Sequence, residues 1–366
     1  MLILLVVFCA AVGVQIIFFI TFLTALNRKR EYKMKASYPV SIIVCAHDEE
    51  ANLRELVPLL LSQDYDAFEV VVVNDRSNDG TYDFLLEQTK KDPRVKMVNV
   101  NQLPAHVNGK KFALTLGIKA ASYEWILLTD ADCRPVSKQW IATMSSHFSE
   151  ESHFVLGFSP YQIAPGLLNK FIRFESLVTA IQYFSFALLG NPYMGVGRNL
   201  AYRKSFFLEN KGFNTFLNVT GGDDDLFVNR HAKGPTTFSE LRPESQVLSI
   251  PEKSLKAFYR QKVRHLSVGK RYKAKHRILL GIFTATWLVT WFTGVALVIV
   301  DLTYWWVIPI LMTRSILLMF NIRTTARQAR LTFELWTVPV LDFLYSIYYL
   351  STGPVALLTK KIRWRN

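Results

Sequence analysis

Cysteine is scarce in this sequence, with Cys9, Cys45 and Cys133 the only three among 366 residues. The three form no CxxC pair and are too few for a disulfide framework. Internal repeats and low-complexity linkers are absent as well. These absences exclude a disulfide-stabilised secreted module and are consistent with a reducing compartment.

Acidic residues are also in short supply, 29 against 43 lysines and arginines, which gives a formal net charge of +14. Half of the residues are hydrophobic and the mean hydropathy is +0.17, which is too apolar for an ordinary soluble enzyme. The length corresponds to about two domains at ~150 residues each. The positive charge suits anionic lipids or pyrophosphate ligands. Because the cations cluster beside apolar runs, we expect no nucleic-acid partner.

Formal charge is missing altogether from Leu2 to Leu26. A run of this length can cross a ~30 Å hydrocarbon layer. Cations follow the run and do not precede it, which favours a membrane anchor over residues 1–27 rather than a cleaved signal peptide. Under the positive-inside rule the chain enters the cytoplasm at Arg28.

The last third of the chain, residues 278–358, has three further apolar runs. The runs at 278–300 and roughly 304–320 have basic flanks on both sides and predict a hairpin with cytoplasmic ends. The run at 331–358 contains Glu334, Asp342 and two prolines and precedes the basic "KKIRWR". It therefore predicts a re-entrant or interfacial segment. Arg314, inside a run, is either functional or a snorkelling side chain.

Between the membrane regions, residues 38–267 predict one cytoplasmic globular domain. Buried strand patterns such as "VSIIVCAH", "FEVVVVND" and "EWILLTD" alternate with amphipathic helical stretches. This alternation predicts a doubly wound α/β sheet. The apolar stretch at 167–190 fits an interfacial amphipathic helix or a core helix equally well.

Acidic residues follow the predicted strands at their carboxyl ends. Asp48 follows the first strand, Asp75 the second, and Asp130 and Asp132 the fourth. In doubly wound sheets ligands bind beyond this edge. A divalent cation there would offset the repulsion of adjacent carboxylates, and Mg²⁺ and Mn²⁺ prefer oxygen ligands.

These motifs, taken in order, resemble those of family 2 glycosyltransferases, inverting enzymes with the GT-A fold (a nucleotide-diphospho-sugar transferase fold) that include cellulose, hyaluronan and chitin synthases. "VVVNDRSNDGT" is similar to the family's nucleotide-binding stretch, "LLTDADCRP" to its DxD motif and "GGDDDL" to its acidic base motif. "PVSIIVCAHDEEANL" is similar to the opening strand and turn, and "QKVRH" to the QxxRW signature, with histidine for tryptophan. The resemblance runs from Pro39 to His265 and implies a mixed GT-A sheet.

The resemblance implies a UDP- or GDP-linked sugar donor and a Mg²⁺ or Mn²⁺ cofactor. Asp132 would bind the metal, Asp130 the ribose or the metal, and Asp75 the nucleoside base. Lys110 aligns with a family lysine near the nucleotide, although a solvated lysine at a helix start would look the same. Gln261 and Arg264 would contact the donor diphosphate, although a basic helix on anionic lipid explains them too.

For catalysis the resemblance implies that Asp223 is the general base and Asp225 a second acid on the acceptor side. Acidic residues at the start of a helix also occur as caps, and both interpretations can hold. The middle residue, Asp224, is expected to tolerate substitution by asparagine.

Two further residues are predicted on the acceptor side, Asn199 in "GVGRNLAYRK", next to Arg198, and His265 in "QKVRH". Histidine at this position departs from the family pattern and weakens the case for a processive polysaccharide synthase. The sequence thus predicts a multi-pass inner-membrane transferase that moves a sugar to a lipid-linked or membrane-proximal glycan acceptor. A processive synthase and a non-catalytic membrane scaffold with a degenerate transferase domain remain as alternatives.

Overall fold

A computed structural model describes residues 1–28 and 38–359. The predicted cationic stretches at 29–35 and 360–365 lie outside these residues. The helices are α1 (Leu2–Leu26), α2 (Glu50–Leu61), α3 (Thr81–Lys91), α4 (Gly109–Ala120), α5 (Trp140–Ser145), α6 (Leu167–Leu188), α7 (Lys204–Glu209), α8 (Asp225–His231), α9 (Leu255–Gly269), α10 (Ala274–Val300), α11 (Val307–Gln328) and α12 (Val338–Leu358). The strands are β1 (Val40–Ala46), β2 (Phe68–Asp75), β3 (Val95–Val100), β4 (Trp125–Asp130), β5 (Cys133–Pro135), β6 (Phe154–Leu156), β7 (Leu200–Arg203), β8 (Thr237–Ser239) and β9 (Val247–Ser249).

Seven strands form one mixed sheet in the order β3-β2-β1-β4-β7-β6-β8. Strands β3, β2, β1 and β4 run parallel, whereas β7 is antiparallel to both β4 and β6. Strands β5 and β9 form a separate antiparallel pair. The predicted alternation of strands and helices is confirmed through β4, because the parallel strands need helical crossovers between them.

The central strands are buried because helices cover both faces of the sheet. On one face Val40, Ile42 and Val44 of β1 share a core with residues of α2, α3 and α5. On the other face α4 crosses β1 and β2. A Cβ at Gly117 of α4 would lie 2.7 Å from a methyl carbon of Val73 and 2.9 Å from one of Ile43, so only glycine permits this close crossing.

The chain divides into two compact units, one built around the sheet and one around the long apolar helices. The sheet unit comprises residues 38–162 and 190–251 among those described, and the helical unit comprises residues 1–28, 163–189 and 252–359. Helices α6 and α9 thus group with the apolar helices, although the sequence places both inside the predicted domain 38–267.

Three stretches of the helical unit are long and apolar enough to cross a membrane, namely Leu2–Leu26, Ala274–Val300 and Leu302–Gln328. They correspond to the first three predicted apolar runs. Helix α12 also forms over the fourth run, continuing through Pro354, but it is not among the candidate spans.

A buried ion pair joins α11 to α12 in the middle of the helical unit. The guanidinium of Arg314 and the carboxylate of Asp342 are both fully buried and paired. Ser315 Oγ donates to Asp342 at 2.8 Å and Trp291 Nε1 at 3.0 Å, and Arg314 donates to Gln15 Oε1 of α1 at 3.0 Å. Arg314 therefore does not snorkel, because its charge is neutralised inside the helix bundle.

Helix α12 runs back alongside α10. Near its start, Asp342 contacts Trp291 in the second half of α10. At its end, the carbonyl oxygen of Thr359 accepts a hydrogen bond from Lys270, which directly follows α9 and lies shortly before the start of α10. The segment before α12 leaves α11 at Gln328, whose amide donates to Leu26 O at the end of α1, 2.8 Å away.

Both ends of the segment from 329 to 359 thus lie beside the predicted cytoplasmic ends of α1 and α10. The point at which the segment from 329 to 359 turns back lies beside the middles of α1 and α10. The re-entrant course of this segment through a bilayer stays a prediction, as does the position of the bilayer.

Helix α6 is buried on most of its surface within the molecule. Phe174 packs against Tyr345 of α12, with ring centroids 5.6 Å apart, and Phe186 packs against Phe22 of α1 at 6.0 Å. An interfacial helix would expose one face to lipid, so this burial favours the core-helix alternative.

We predict that a topology reporter fused after Asn366 reads cytoplasmic, as do reporters after Tyr38 and Ser267, because the last segment turns back. A reporter inserted after Asp301, between α10 and α11, should read external. Alkaline phosphatase and green fluorescent protein fusions measure this. An external reading after Asn366 would mean that α12 crosses the membrane.

We also predict that Arg314→Met and Asp342→Leu each destabilise the chain, because either leaves an uncompensated buried charge, a loss typically of about 3–5 kcal/mol. The double variant should melt closer to the parent, since it removes both charges. Thermal unfolding in detergent measures this, with exposed Arg323→Met on the same helix as control. A double variant no more stable than the singles would contradict the pairing argument.

Candidate functional site

The acidic residues at the strand ends meet at one edge of the sheet. Asp75 ends β2 and Asp130 ends β4, and these two strands flank β1. Because the three strands are parallel, their carboxyl ends lie together. The predicted gathering of acids at this edge is therefore present in the structure.

The loop after β1 is tied to the loop after β2 by side-chain acceptors. Asp48 accepts the backbone N–H of Asn78 at 2.6 Å, and Asp79 accepts that of Glu50 at 3.1 Å. A ring nitrogen of His47 lies 2.5 Å from the carbonyl oxygen of Asp75. Asp48 therefore serves to connect the two loops that border the strand ends.

Asp75 is buried and paired with its neighbour in sequence. Arg76 donates two hydrogen bonds to the Asp75 carboxylate, at 2.8 and 3.1 Å. A Cβ at Gly109 would lie 2.8 Å from the Arg76 guanidinium, so glycine allows α4 to begin against this pair. The sequence did not single out Arg76, because a cation in an acidic turn is common and carries no spacing signal.

Lys110 lies between the DxD aspartate and the acidic run. Its ammonium is 2.9 Å from Asp130 Oδ1 and 3.5 Å from Asp223 Oδ2. Burial alone would lower the pKa of Lys110, but the carboxylates of Asp130 and Asp223 outweigh it and raise this pKa well above its usual range. The lysine is therefore a permanent cation that joins two predicted functional groups.

The same cation keeps Asp223 ionised. Burial raises the pKa of this carboxyl, and the nearby charges of Lys110 and Lys111 lower it. The lowering is larger, so the net pKa lies below the usual value. Asp223 is 6% exposed. A buried carboxylate held in its charged form can accept a proton from a bound hydroxyl group.

Lys111, the next residue, is fully buried and positions the loop before Asp223. Its ammonium donates to the carbonyl oxygens of Val219 and Gly221. Sequence patterns do not separate Lys111 from Lys110, because adjacent lysines at a helix start look alike. Helical geometry points the two side chains in different directions, about 100° apart.

The three successive aspartates have separate structural roles. Asp224 caps α8, accepting the backbone N–H of Asp225 at 2.8 Å, and also accepts that of Gly197 at 2.6 Å. Asp225 is the first residue of α8 and half-buried. Capping thus belongs to Asp224, while Asp223 faces Lys110. Because Asp224 holds two backbone segments, the expected tolerance of Asp224→Asn does not fit the structure.

The DxD turn gathers three potential metal ligands. A carboxylate oxygen of Asp130, a carboxylate oxygen of Asp132 and the sulfur of Cys133 all lie within 4.8 Å of one another. Burial and the Asp130 carboxylate raise the pKa of Asp132, which shows the repulsion between the two acids. Burial also raises the pKa of the Cys133 thiol, so this sulfur stays protonated and the two carboxylates remain as ligands. Hard oxygen donors of this kind fit Mg²⁺ or Mn²⁺.

Arg198 contributes a second cation near the DxD turn. Its guanidinium donates to Ser249 Oγ at 2.6 Å and lies 4.8 Å from the centre of the Tyr161 ring. Its charge offsets part of the rise in the pKa of Asp132 that burial and Asp130 cause.

Asn199 occupies a different position from the one predicted. It is fully buried, its oxygen accepts from Trp140 Nε1 at 3.0 Å, and its amide nitrogen donates to the carbonyl oxygens of Phe158 and Ser245. Because both polar atoms are used within the protein, the predicted acceptor contact does not fit this placement, and Asn199 is a structural residue.

Gln261, Arg264 and His265 lie on α9 in the helical unit, not in the sheet unit. His265 is exposed and Arg264 half-buried. The side-chain oxygen of Gln261 is enclosed and accepts no hydrogen bond from the residues that the structure describes. An enclosed oxygen without a donor is costly, which is consistent with a ligand contact.

Part of the chain, from within β1 to the end of α7, matches a known family. Residues 41–209 match the family model described as "Glycosyl transferase family 2". The chain is 31% identical over 163 residues to "Probable glycosyltransferase YdaM" of Bacillus subtilis, a match that covers 43% of this chain and 38% of that protein. It is 34% identical over 94 residues to a poly-beta-1,6-N-acetyl-D-glucosamine synthase of Staphylococcus epidermidis, covering 25% and 21%. The chain thus spans well under half the length of these curated relatives.

One solved structure resembles the whole chain. It is the mannosyltransferase PcManGT from Pyrobaculum calidifontis in complex with GDP-Man and Mn²⁺, with a TM-score of 0.67 over 98% of this chain and 99% of that chain. The sequences are 16% identical, so the likeness establishes the fold alone.

We predict that Asp132→Asn weakens Mn²⁺ binding at least tenfold without lowering the melting temperature, because it removes an anionic oxygen ligand and relieves the repulsion from Asp130. Electron paramagnetic resonance of free Mn²⁺ measures the affinity. Exposed Asp66→Asn is the matched control. Equal Mn²⁺ affinity in Asp132→Asn and the parent would remove Asp132 from the metal site.

Proposed function

We propose that this chain, whose residues 41–209 match the glycosyltransferase family 2 model, is a member of that family and transfers a sugar, with inversion, from a nucleotide-diphosphate sugar to a lipid-linked or membrane-proximal glycan acceptor. The observation that carries the proposal is the contact of Lys110 with both Asp130 and Asp223. It brings a donor-side acid and a candidate base to one cation at the ligand-binding edge of the sheet.

For the donor, we propose a UDP- or GDP-linked sugar held with Mg²⁺ or Mn²⁺. Asp132 and Asp130 would hold the metal, which supplies positive charge to the diphosphate leaving group. Asp75, buried beside Arg76, would accept a hydrogen bond from the nucleoside base. The PcManGT complex contains GDP-Man and Mn²⁺, which supports this class of donor.

For the chemistry, we propose that Asp223 removes the proton from the acceptor hydroxyl. The hydroxyl oxygen then forms a bond to the anomeric carbon, and the bond from that carbon to the diphosphate breaks on the opposite face. The proton stays on Asp223 and the nucleoside diphosphate leaves. Lys110 contributes by holding Asp223 in its charged form, as the lowered pKa of Asp223 indicates.

For the location, we propose a multi-pass protein of the inner membrane with the sheet unit in the cytoplasm. The three candidate spans and the basic stretches that flank them support this arrangement. Arg264 and Gln261 remain proposed contacts of the donor, and His265 and Asp225 remain proposed acceptor-side residues.

A processive polysaccharide synthase is the second candidate, favoured by the similarity to poly-beta-1,6-N-acetyl-D-glucosamine synthase. The length of the product distinguishes the two functions. A panel of nucleotide sugars with Mn²⁺, screened first by thermal shift and then by transfer to membrane extracts, tests both. Absence of any stabilising nucleotide sugar would favour a non-catalytic scaffold.

We predict that Asp223→Asn leaves donor affinity within about twofold of the parent and lowers turnover by about 10²–10⁴-fold, because a general base acts in the transition state. Sugar transfer and donor binding are measured on the same purified full chain.

Asp66→Asn, which lies away from the motifs, is the control for the loss of one carboxylate. Asp224→Asn is unsuitable for this purpose because it disturbs a cap and the Gly197 contact. Transfer by Asp223→Asn at nearly the parent rate would refute the base assignment and make Asp225 the next candidate.

A further inference from the structure

Helix α9 carries the three residues proposed to face the donor and acceptor, Gln261, Arg264 and His265. An α-helix turns ~100° per residue, so these three side chains project within an arc of about 100° on one side of Lys262. The direction in which they point therefore depends on the rotation of α9 about its own axis.

Lys262 is a buried lysine on the basic helix α9. Its ammonium pairs with the carboxylate of Glu175 on α6, and both residues are less than a tenth exposed. The ammonium also lies 5.5 Å from the centre of the Phe258 ring. Helix α6 thus presents a buried anion at the position where α9 presents a buried cation.

The ion pair restrains the rotation of α9 in addition to the surrounding apolar contacts. Phe258 packs edge-on against Phe171 at 6.0 Å and tilted against Tyr348 at 6.1 Å. The free energy of apolar burial depends on the area buried and not on direction, whereas the ion pair requires two charged groups to stay in contact. Separating the buried charges would leave both without a partner in a poorly solvated environment, which is unfavourable.

We propose that Lys262 and Glu175 are positioning residues that fix the rotation of α9 and thereby the direction of Gln261, Arg264 and His265. The proposal rests on the proposed function for its kinetic consequence. Its structural consequence, the orientation of α9, can be measured without any transfer activity.

The orientation is tested by cysteine labelling in the full chain with Cys9 and Cys45 replaced by alanine. His265 is exposed and Ser267 buried, so a maleimide should modify His265→Cys much faster than Ser267→Cys. Adding Lys262→Met should reduce the ratio of the two rates at least threefold, because α9 then rotates. Glu175→Gln is the second variant in case Lys262→Met does not fold. An unchanged ratio in a folded variant overturns the proposal.

The kinetic test uses the chain with its native cysteines. Glu175→Gln and Lys262→Met should each raise the donor KM at least tenfold, and the exchange Glu175→Lys/Lys262→Glu should return it to within threefold of the parent. Exposed Lys256→Met, on the same helix, should leave it unchanged. If the pair only stabilised the fold, its loss would lower the melting temperature and leave KM at the parent value. That result would also overturn the proposal. If the parent transfers no sugar, the proposed function fails while the labelling ratio still decides the orientation.

Discussion

Electrostatic repulsion among carboxylates is the constraint on which the sheet unit depends. At one edge of the sheet, burial and the Asp130 carboxylate raise the pKa of Asp132, and burial and the Asp223 carboxylate raise the pKa of Asp224. Two like charges 4 Å apart repel by about 4 kcal/mol at an effective dielectric constant of 20. The ammonium of Lys110, in contact with two of these acids, offsets part of that repulsion in the metal-free protein. The remaining excess charge at Asp130 and Asp132 is what a divalent cation would neutralise.

Local patterns were sufficient to predict the elements that bring the acids together. The apolar runs that form β1, β2 and β4 are bounded by polar residues, and parallel strands place their carboxyl ends on one edge whatever the details of packing. The positions of Asp75, Asp130 and Asp132 at that edge follow directly. Contacts between distant segments were not predictable. Lys111 binds carbonyl groups more than 100 residues away, and the burial of Asn199 depends on Trp140, Phe158 and Ser245.

The helical unit shows the same division between local and distant information. Length and hydropathy predicted α1, α10 and α11, because a membrane span is a property of one continuous segment. The partner of Arg314 was not predictable, since a buried arginine and a snorkelling arginine occur in the same sequence context. Gln15, which also contacts Arg314, is 299 residues away. The course of α12 depends on these contacts and on Lys270, and no periodicity within α12 encodes it.

The pairing of Arg314 with Asp342 also constrains how the protein is made. A ribosome synthesises α11 before α12, and Asp342 follows Arg314 by 28 residues. Until Asp342 emerges, an arginine in the middle of α11 faces a translocon-insertion cost of about 2.5–3.5 kcal/mol. If α11 spans the bilayer as proposed, its stable integration waits for the following segment, and the two leave the translocon together. Biogenesis of the helical unit is in this sense cooperative: a chain truncated between the two residues would hold an unpaired charge and become a substrate for membrane quality control.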